Sequence, residues 1–495
     1  MPREKIFFIT TAIDYVNDKP HIGHAYEKII ADSIARAFRF LGKKVYFLTG
    51  TDEHGLKIER TAREKKKEIR ELVEENAMHF KNAWDRLGIS YDRFIRTSED
   101  FHKKIVQDIL QRVYDKGYIY KGMYEGYYCV GCERYLSERE LVNGKCPFHP
   151  NKEIEKLEME SYFFRLSAFE DKVLNFLENT KFLSEKFKKE IINRIKSQGL
   201  KDISISRPKS YLSWGIELPF DKTHVTYVWF DALVNYITGA KEKNFEEVWP
   251  PDIQIIGKDI LWFHSVIWPG ILLASNLELP KKLLVHGHLT VNKQKISKSL
   301  GNVIDPLELL EKFPSDSLRW YLLRRVPLEE DSDFSVEELR RVHNDELANE
   351  LGNLVQRCVV MIHKYFGSTI PEGKEEEKLK EAFDSFLVGV EKNIENLNFS
   401  ELCRRIFELI KETNAYLNEK EPWRMEENRK DAIFNCAEAC YLIACHSQFV
   451  LPETSKKIVF LLNQKLKNLL EIKEFGKNLE TGKEIKKAEI LFKKV

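Results

Sequence analysis

The chain opens on an apolar strand, a turn, a long amphipathic segment and a second apolar strand, and that order leaves few folds open. IFFIT (6–10) reads as a strand, and TAIDYVNDKP as a loop with turn chemistry. Asp18 is placed to cap and Pro20 suits a first helical turn. Ile22, Ala25, Ile29, Ala37, Phe38 and Leu41 recur at helical spacing, which predicts a helix from about His21 to Leu41. KKVYFLTG (43–50) reads as the next strand. Strand–helix–strand is how a parallel α/β sheet begins. The pattern breaks near residue 115, and residues 116–225 are Tyr-rich and punctuated by Gly. Sheet-like segments resume at HVTYVWF (224–230), IQIIG (253–257) and KLLVHG (282–287). The expectation is one α/β sheet interrupted by an inserted module. From about residue 345 the chain is expected to be helical to near its end. There Leu347, Leu351, Leu354, Val355, Cys358 and Ile362 fall on one face, with Asn349, Asn353 and Arg357 opposite. This pattern predicts a separate helical bundle.

The inserted module carries CVGCERYLSERELVNGKCPFHP (129–150). Cys129 and Cys132 are two residues apart, as are Cys146 and His149, with thirteen residues between the pairs. That is the ligand spacing of a tetrahedral zinc site. Four protein ligands leave no open position for water or substrate, so one structural Zn²⁺ is expected. Cys436, Cys440 and Cys445 lie in an apolar helical segment and read as buried free thiols. Charged residues make up 32% of the 495 residues but nearly cancel, at a net charge of +1. Any nucleic acid must therefore be met by local basic patches. ILWFHSVIWPGILLA (260–274), the longest apolar run, is short and broken by His264 and Pro269. With no secretory signal before IFFIT, a cytoplasmic location and no membrane are expected.

Two polar motifs carry the chemistry. His21-Ile22-Gly23-His24 sits where the first loop meets its helix. A helix start attracts phosphate, and two imidazoles can add donors to its oxygens. Gly23, without a side chain, lets a flat base approach. Further on, Asn292-Lys293-Gln294-Lys295-Ile296-Ser297-Lys298-Ser299-Leu300-Gly301-Asn302 is a loop of lysines among small residues. Such a loop can fold over a triphosphate and neutralise a leaving pyrophosphate. Competing nucleotide motifs are missing: no G-x-G-x-x-G follows the first strand. GTDEHGLK (50–57) only mimics a P-loop, because Leu56 separates Gly55 from Lys57.

H-I-G-H after a first strand and K-I-S-K-S after a last one resemble the paired signatures of class I aminoacyl-tRNA synthetases. TAIDYVND-PHIGHA, FLTGTDEHG, YVWFDALVNYI and IIGKDILWFHSVIWP are similar to the methionyl family, over essentially the whole chain. The resemblance implies a Rossmann-like α/β catalytic domain in two halves (1–115 and 226–290). Between them lies a connective domain with the zinc knuckle (116–225). A stem-contact region with the K-I-S-K-S loop (291–345) and an all-α anticodon-binding domain (346–495) follow. It implies a methionine pocket of Ala12, Ile13, Tyr15, Trp229, Ala232, Tyr236, Ile260, Phe263, His264 and Trp268, with Asp52 holding the ammonium. An unbranched thioether suits an aromatic pocket, and a strand end is where α/β sheets bind ligands. Leu233 stands where relatives have Pro, a departure that bears on the pocket's shape.

By the same resemblance ATP, with Mg²⁺, would meet His21, Gly23, His24, Asp259, His288, Leu289, Lys295 and Lys298, with His21, His24, Lys295 and Lys298 catalytic. Asn353, Arg357 and Trp423 would read the anticodon of tRNA(Met). The implied reaction joins L-methionine to tRNA through an adenylate. With the end at EILFKKV, two expectations stand open: a monomer, or a pairing with a separate tRNA-binding subunit. Enzymes for leucine, isoleucine or valine would need a larger insertion. A cysteine enzyme would need a Cys where this chain has Thr10-Thr11. Two other classes are a nucleotidyltransferase sharing only H-x-G-H, and a silent tRNA-binding relative with degraded motifs.

Overall fold

The computed structural model describes residues 5–129, 134–136, 141–147, 150, 152–296 and 301–495. The chain forms two compact units. The first comprises Met1–Pro20, Tyr46–Ala83 and Tyr91–His286, and the second His21–Val45, Trp84–Ser90 and Gly287–Val495.

The first unit is built on a sheet of β1 (Phe7–Thr11), β2 (Asp14–Tyr15), β3 (Val45–Asp52), β4 (Arg93–Arg96), β11 (Ile253–Gly257) and β12 (Leu283–His286). Its order is β12-β11-β1-β3-β2, with β4 also paired to β3. β1 runs parallel to β11, setting Ile9 opposite Ile253 and Thr11 opposite Ile255. β11 runs parallel to β12. IQIIG and LLVH are buried at every residue, as mainly apolar parallel strands are when both faces are covered. Phe8, Leu48, Val106, Ile237 and Leu272 form part of its core, each fully buried.

The insertion between β4 and β11 holds a long ribbon. β5 (Ile119–Cys129) pairs antiparallel with β7 (Ile154–Phe164) from Ile119 opposite Phe164 to Cys129 opposite Ile154. β6 (Arg134–Leu136) joins the Cys129 end, and β8 (Ile203–Ser204) the other. HVTYVWF departs from expectation. Only His224–Thr226 is strand (β10), paired with β9 (Ser206–Pro208) outside the parallel sheet. Tyr227 then caps a helix, Val228–Leu233. A short aromatic run has no periodicity to separate strand from buried helix.

In the second unit β13 (Leu289–Val291) and β14 (Gln294–Lys295) form a hairpin, with β15 (Ser332–Asp333) parallel to β13. The helical part follows. His343–Gly352 is wound as a wider π-helix and passes directly into the α-helix Asn353–Phe366. The six residues predicted to face inward there are buried. Helix Arg429–Ser447 is buried on all sides from Ala432 onward, as expected of the central rod of a bundle. Arg319 is fully buried and pairs with Asp32 at 2.7 Å. It also donates to the backbone oxygens of Val450 and Phe449. Removing one partner of such a buried pair costs about 3–5 kcal/mol.

The helical expectation fails at the end. Beyond Leu461 the described chain has one short 3₁₀ turn, Leu469–Glu471. Gly476 and Gly482 hold positive φ there, and the tail is fastened by polar contacts instead. The N–H groups of Gly476, Asn478 and Leu479 donate to the Glu438 carboxylate. Among the described residues no helix is long and apolar enough to cross a membrane.

Candidate active site

The helix begins where the spacing predicts, at about His21, but Asp18 is not its cap. Asp18 instead accepts from Lys19 N in the turn, and the helix runs Ile22–Phe40 with His21 as its cap. Gly23 N donates to His21 Nδ1 at 3.1 Å, and His21 N to His24 Nδ1 at 3.1 Å. This is a reciprocal capping box made with imidazoles in place of Ser and Glu. Each Nδ1 is an acceptor, so the ring proton of each neutral imidazole sits on Nε2. The rings stack with centroids 3.8 Å apart. No acidic residue occupies the first turn, so nothing there opposes an anion at the helix start.

Gly23 has a second reason beyond the one its sequence suggests. A Cβ at that position would lie 2.9 Å from His21 Cε1 and 3.1 Å from Nδ1. Gly23→Ala is expected to keep the helix but displace the His21 ring, with circular dichroism unchanged.

Ile22 N donates to Ile304 O at 3.0 Å. The helix start is thereby tied to the extended segment that precedes helix Pro306–Leu310, within one unit. At the start of the lysine loop Asn292 and Lys293 both have positive φ, the requirement of a tight two-residue hairpin turn. Asp333 fixes that hairpin, accepting from Lys293 N at 2.8 Å and Thr290 Oγ1 at 2.7 Å. Those bonds hold its carboxyl below the usual range. Lys295 ends β14, exposed, and its carbonyl accepts from Asn302 Nδ2 at 3.1 Å. His288 N donates to Asp331, and Leu289 is buried. A Cβ on Gly287 would lie 2.0 Å from Glu330 O, so only glycine allows this approach. Lys298 lies outside the described residues.

The aromatic residues gather in the first unit. Trp229 stacks on Phe263 with centroids 3.8 Å apart and planes at 13°. The Trp229 Nε1 donor is buried and has no hydrogen-bond partner among the described residues. His264 Nδ1 contacts Ile260 O at 3.1 Å, and its Nε2 contacts Tyr236 Oη at 2.8 Å. A carbonyl can only accept, so Nδ1 carries the proton and the Tyr236 hydroxyl donates to Nε2. Trp268, fully buried, lies against Tyr236 at 5.7 Å. Ala12 and Ile13 pack on the same core just past β1. Tyr15 is the register neighbour of Asp52, the last residue of β3. Ala232 is one turn beyond Trp229 in the same short helix. Asp259 is exposed in the turn that follows β11.

The family model described as "tRNA synthetases class I (M)" matches residues 7–156 and 149–359, and "Anticodon binding domain of methionyl tRNA ligase" matches 368–495. This chain belongs to the methionyl-tRNA synthetase family. It is 42% identical to the methionine--tRNA ligase of Caldanaerobacter subterraneus over 99% of the chain and 79% of that protein. It is 40% identical to that of Thermotoga maritima over 99% and 80%. A solved Mycobacterium tuberculosis methionyl-tRNA synthetase in complex with methionyl-adenylate superposes with a TM-score of 0.93. Its identity is 35%, and 99% of each chain is covered. As a methionine--tRNA ligase, the chain is an ATP-dependent class I enzyme.

Four further features of this methionyl-tRNA synthetase family member stand out. The anticodon candidates come together in the second unit. Asn353 is exposed, and Arg357 lies 5.0 Å over the Trp423 ring while donating to Asn418 Oδ1 at 2.8 Å. Of the knuckle, Cys129 and Cys146 share a small buried cluster with Leu136, while Cys132 and His149 lie outside the described residues. A second thiol group is separate from it. The buried Cys358, Cys436 and Cys440 place their sulfurs within 4.8 Å of one another, a group able to hold a metal ion. Sequence reasoning missed the buried partners of Asp231. Its Oδ2 meets His54 Nδ1 at 2.6 Å and its Oδ1 meets His102 Nε2 at 2.8 Å. The available signal was position: His54 is two residues from Asp52, and Asp231 lies between Trp229 and Ala232.

Proposed function

We propose that His21, His24, Lys295 and Lys298 carry the activation step of this methionine--tRNA ligase. The methionine carboxylate attacks the α-phosphate of ATP, pyrophosphate leaves, and the acyl group then passes to the 3′-terminal ribose of tRNA(Met). The observation that carries the reading is the reciprocally capped and stacked histidine pair at a helix N-terminus whose first turn lacks acidic residues. Such donors act on charge that develops in the transition state, and no covalent enzyme intermediate is needed. Lys295 and Lys298 neutralise the departing pyrophosphate. Gly23, Asp259, His288 and Leu289 frame the nucleotide. Asp52 takes the methionine ammonium, and Ala12, Ile13, Tyr15, Trp229, Ala232, Tyr236, Ile260, Phe263, His264 and Trp268 surround its side chain. The orphan Trp229 Nε1 supports a ligand there, because buried donors without partners are rare. Methionine-dependent pyrophosphate exchange in alanine variants tests these roles.

Asn353, Arg357 and Trp423 read the anticodon in this proposal, within an anticodon domain from residue 346. Stacking a base on Trp423 is worth about 1–3 kcal/mol. Trp423→Ala is therefore expected to lower tRNA charging about 5- to 150-fold and leave pyrophosphate exchange intact. Comparing the two assays on one preparation separates the steps.

The insertion 116–225 is proposed to hold one structural zinc on Cys129, Cys132, Cys146 and His149. The thiol pair that is described fits, since two buried cysteines close to one ribbon end are soft donors in a dry setting. With four protein ligands, the ion would fasten the ribbon end and take no part in bond making. Cys129→Ser should lower zinc content by about one ion per chain, and unchanged zinc would defeat the assignment. The reading also includes a cytoplasmic setting and a separate tRNA-binding subunit. Native mass of the protein from its own cells tests the latter, and a lone monomer would count against it.

A further inference from the structure

We infer that His54, Asp231 and His102 form a strut that sets the width of the amino-acid pocket, with His54 and Asp231 as positioning residues. Asp231 is fully buried, and each of its carboxylate oxygens meets one imidazole. His102 reaches on through Nδ1 to Thr238 Oγ1 at 2.9 Å. All four residues are buried, and all lie in the first unit. Burial works against charge on Asp231, but His54 and then His102 outweigh it and hold the carboxyl below its ordinary range.

What these residues join distinguishes the strut from an ordinary core polar cluster. His54 is two residues past Asp52, Asp231 lies two past Trp229 and one before Ala232, and Thr238 is two past Tyr236. Two segments that carry walls of the proposed pocket therefore meet at one buried carboxylate, and His102 links that carboxylate on to a third through Thr238. The fourth member, His102, comes from helix Asp100–Asp115, which carries no pocket residue. The loop bearing His54 is held elsewhere as well. Glu53 N donates to Thr97 Oγ1 at 2.9 Å, and Trp214 Nε1 donates to Glu53 O at 2.5 Å. Losing the His54 link should therefore leave the loop folded but free to shift against helix Val228–Leu233, and so change the distance from Asp52 to Trp229.

The inference rests on the pocket reading above, and the test keeps the two apart. His54→Phe retains a ring but removes the N–H donor. His54→Asn places a donor near the position of Nδ1. We expect His54→Phe to raise KM for methionine about tenfold, with KM for ATP within about twofold and kcat little changed. The S-ethyl homologue of methionine gives a second readout. One methylene is ordinarily discriminated about 10- to 200-fold in a fitted pocket, and that ratio should fall in His54→Phe and recover in His54→Asn. If His54→Phe does not fold, Asp231→Asn and His54→Asn carry the same comparison. Trp229→Ala is the control. If it raises KM for methionine while His54→Phe changes neither KM nor the ethyl-to-methyl ratio, the strut is refuted and the pocket stands. If Trp229→Ala leaves KM for methionine unchanged, the pocket reading falls first. A loss of melting temperature and active fraction, with KM and selectivity fixed, would make the cluster purely structural and overturn the inference.

Discussion

Asp52→Asn should reduce kcat/KM for methionine by two to three orders of magnitude while leaving KM for ATP near its original value. The change keeps the shape of the side chain and removes only its charge. A buried, hydrogen-bonded charge pair that loses one partner costs about 2–5 kcal/mol, and the methionine ammonium would be left facing a neutral amide. Asp52 is only 8% exposed and ends β3, so little water can replace the lost carboxylate. Pyrophosphate exchange titrated with each substrate in turn checks the split. An equal rise in both KM values would point to a general disturbance instead.

His24→Ala should lower kcat of adenylate formation about 10²–10³-fold, the usual loss on removing one preorganised donor, with KM for methionine little changed. His24 also accepts from His21 N at 3.1 Å, so the variant additionally loses part of a cap worth about 1 kcal/mol. That is too little to unfold the chain, and the melting temperature should show it. His24→Gln is the informative companion. Glutamine is a normal capping-box acceptor at this position and should restore stability while regaining only part of the rate. Stability and rate would then separate, which a purely capping role for the histidine would not allow.

Much of this site is legible from local pattern. His21 and His24 are three apart at a helix start, so one helical turn brings the rings together whatever else the chain does. The strands IQIIG and KLLVHG are short, mainly apolar runs, and the ladder pairs them as parallel strands. Asn353 and Arg357 share a polar stripe that follows from helical spacing alone, and Trp423 joins them from a loop. What escaped depends on long-range meeting. Asp231 is 177 residues from His54 and 129 from His102, and within WFDA it looks like one acid in an aromatic run. Arg319 reads as a helix-face charge until Asp32 closes on it from the first helix. HVTYVWF was divided between strand and helix by the cap at Tyr227, which composition does not announce. The tail beyond Leu461 is held through Glu438, whose buried carboxyl is pushed up by burial even as backbone N–H groups support its charge.

The knuckle is the most conspicuous motif, yet its described thiols lie at the end of a ribbon in the first unit. The capped histidines and the lysine hairpin belong to the second. The conspicuous residues are assigned to architecture, and the quieter ones to the reaction.

Pyrophosphate exchange with the purified chain, offered each genetically encoded amino acid in turn, tests the central claim most directly. Exchange that requires methionine, and collapses in His24→Ala and Asp52→Asn, is the predicted result. Exchange that proceeds without an amino acid, prefers a different one, or survives both substitutions would contradict it.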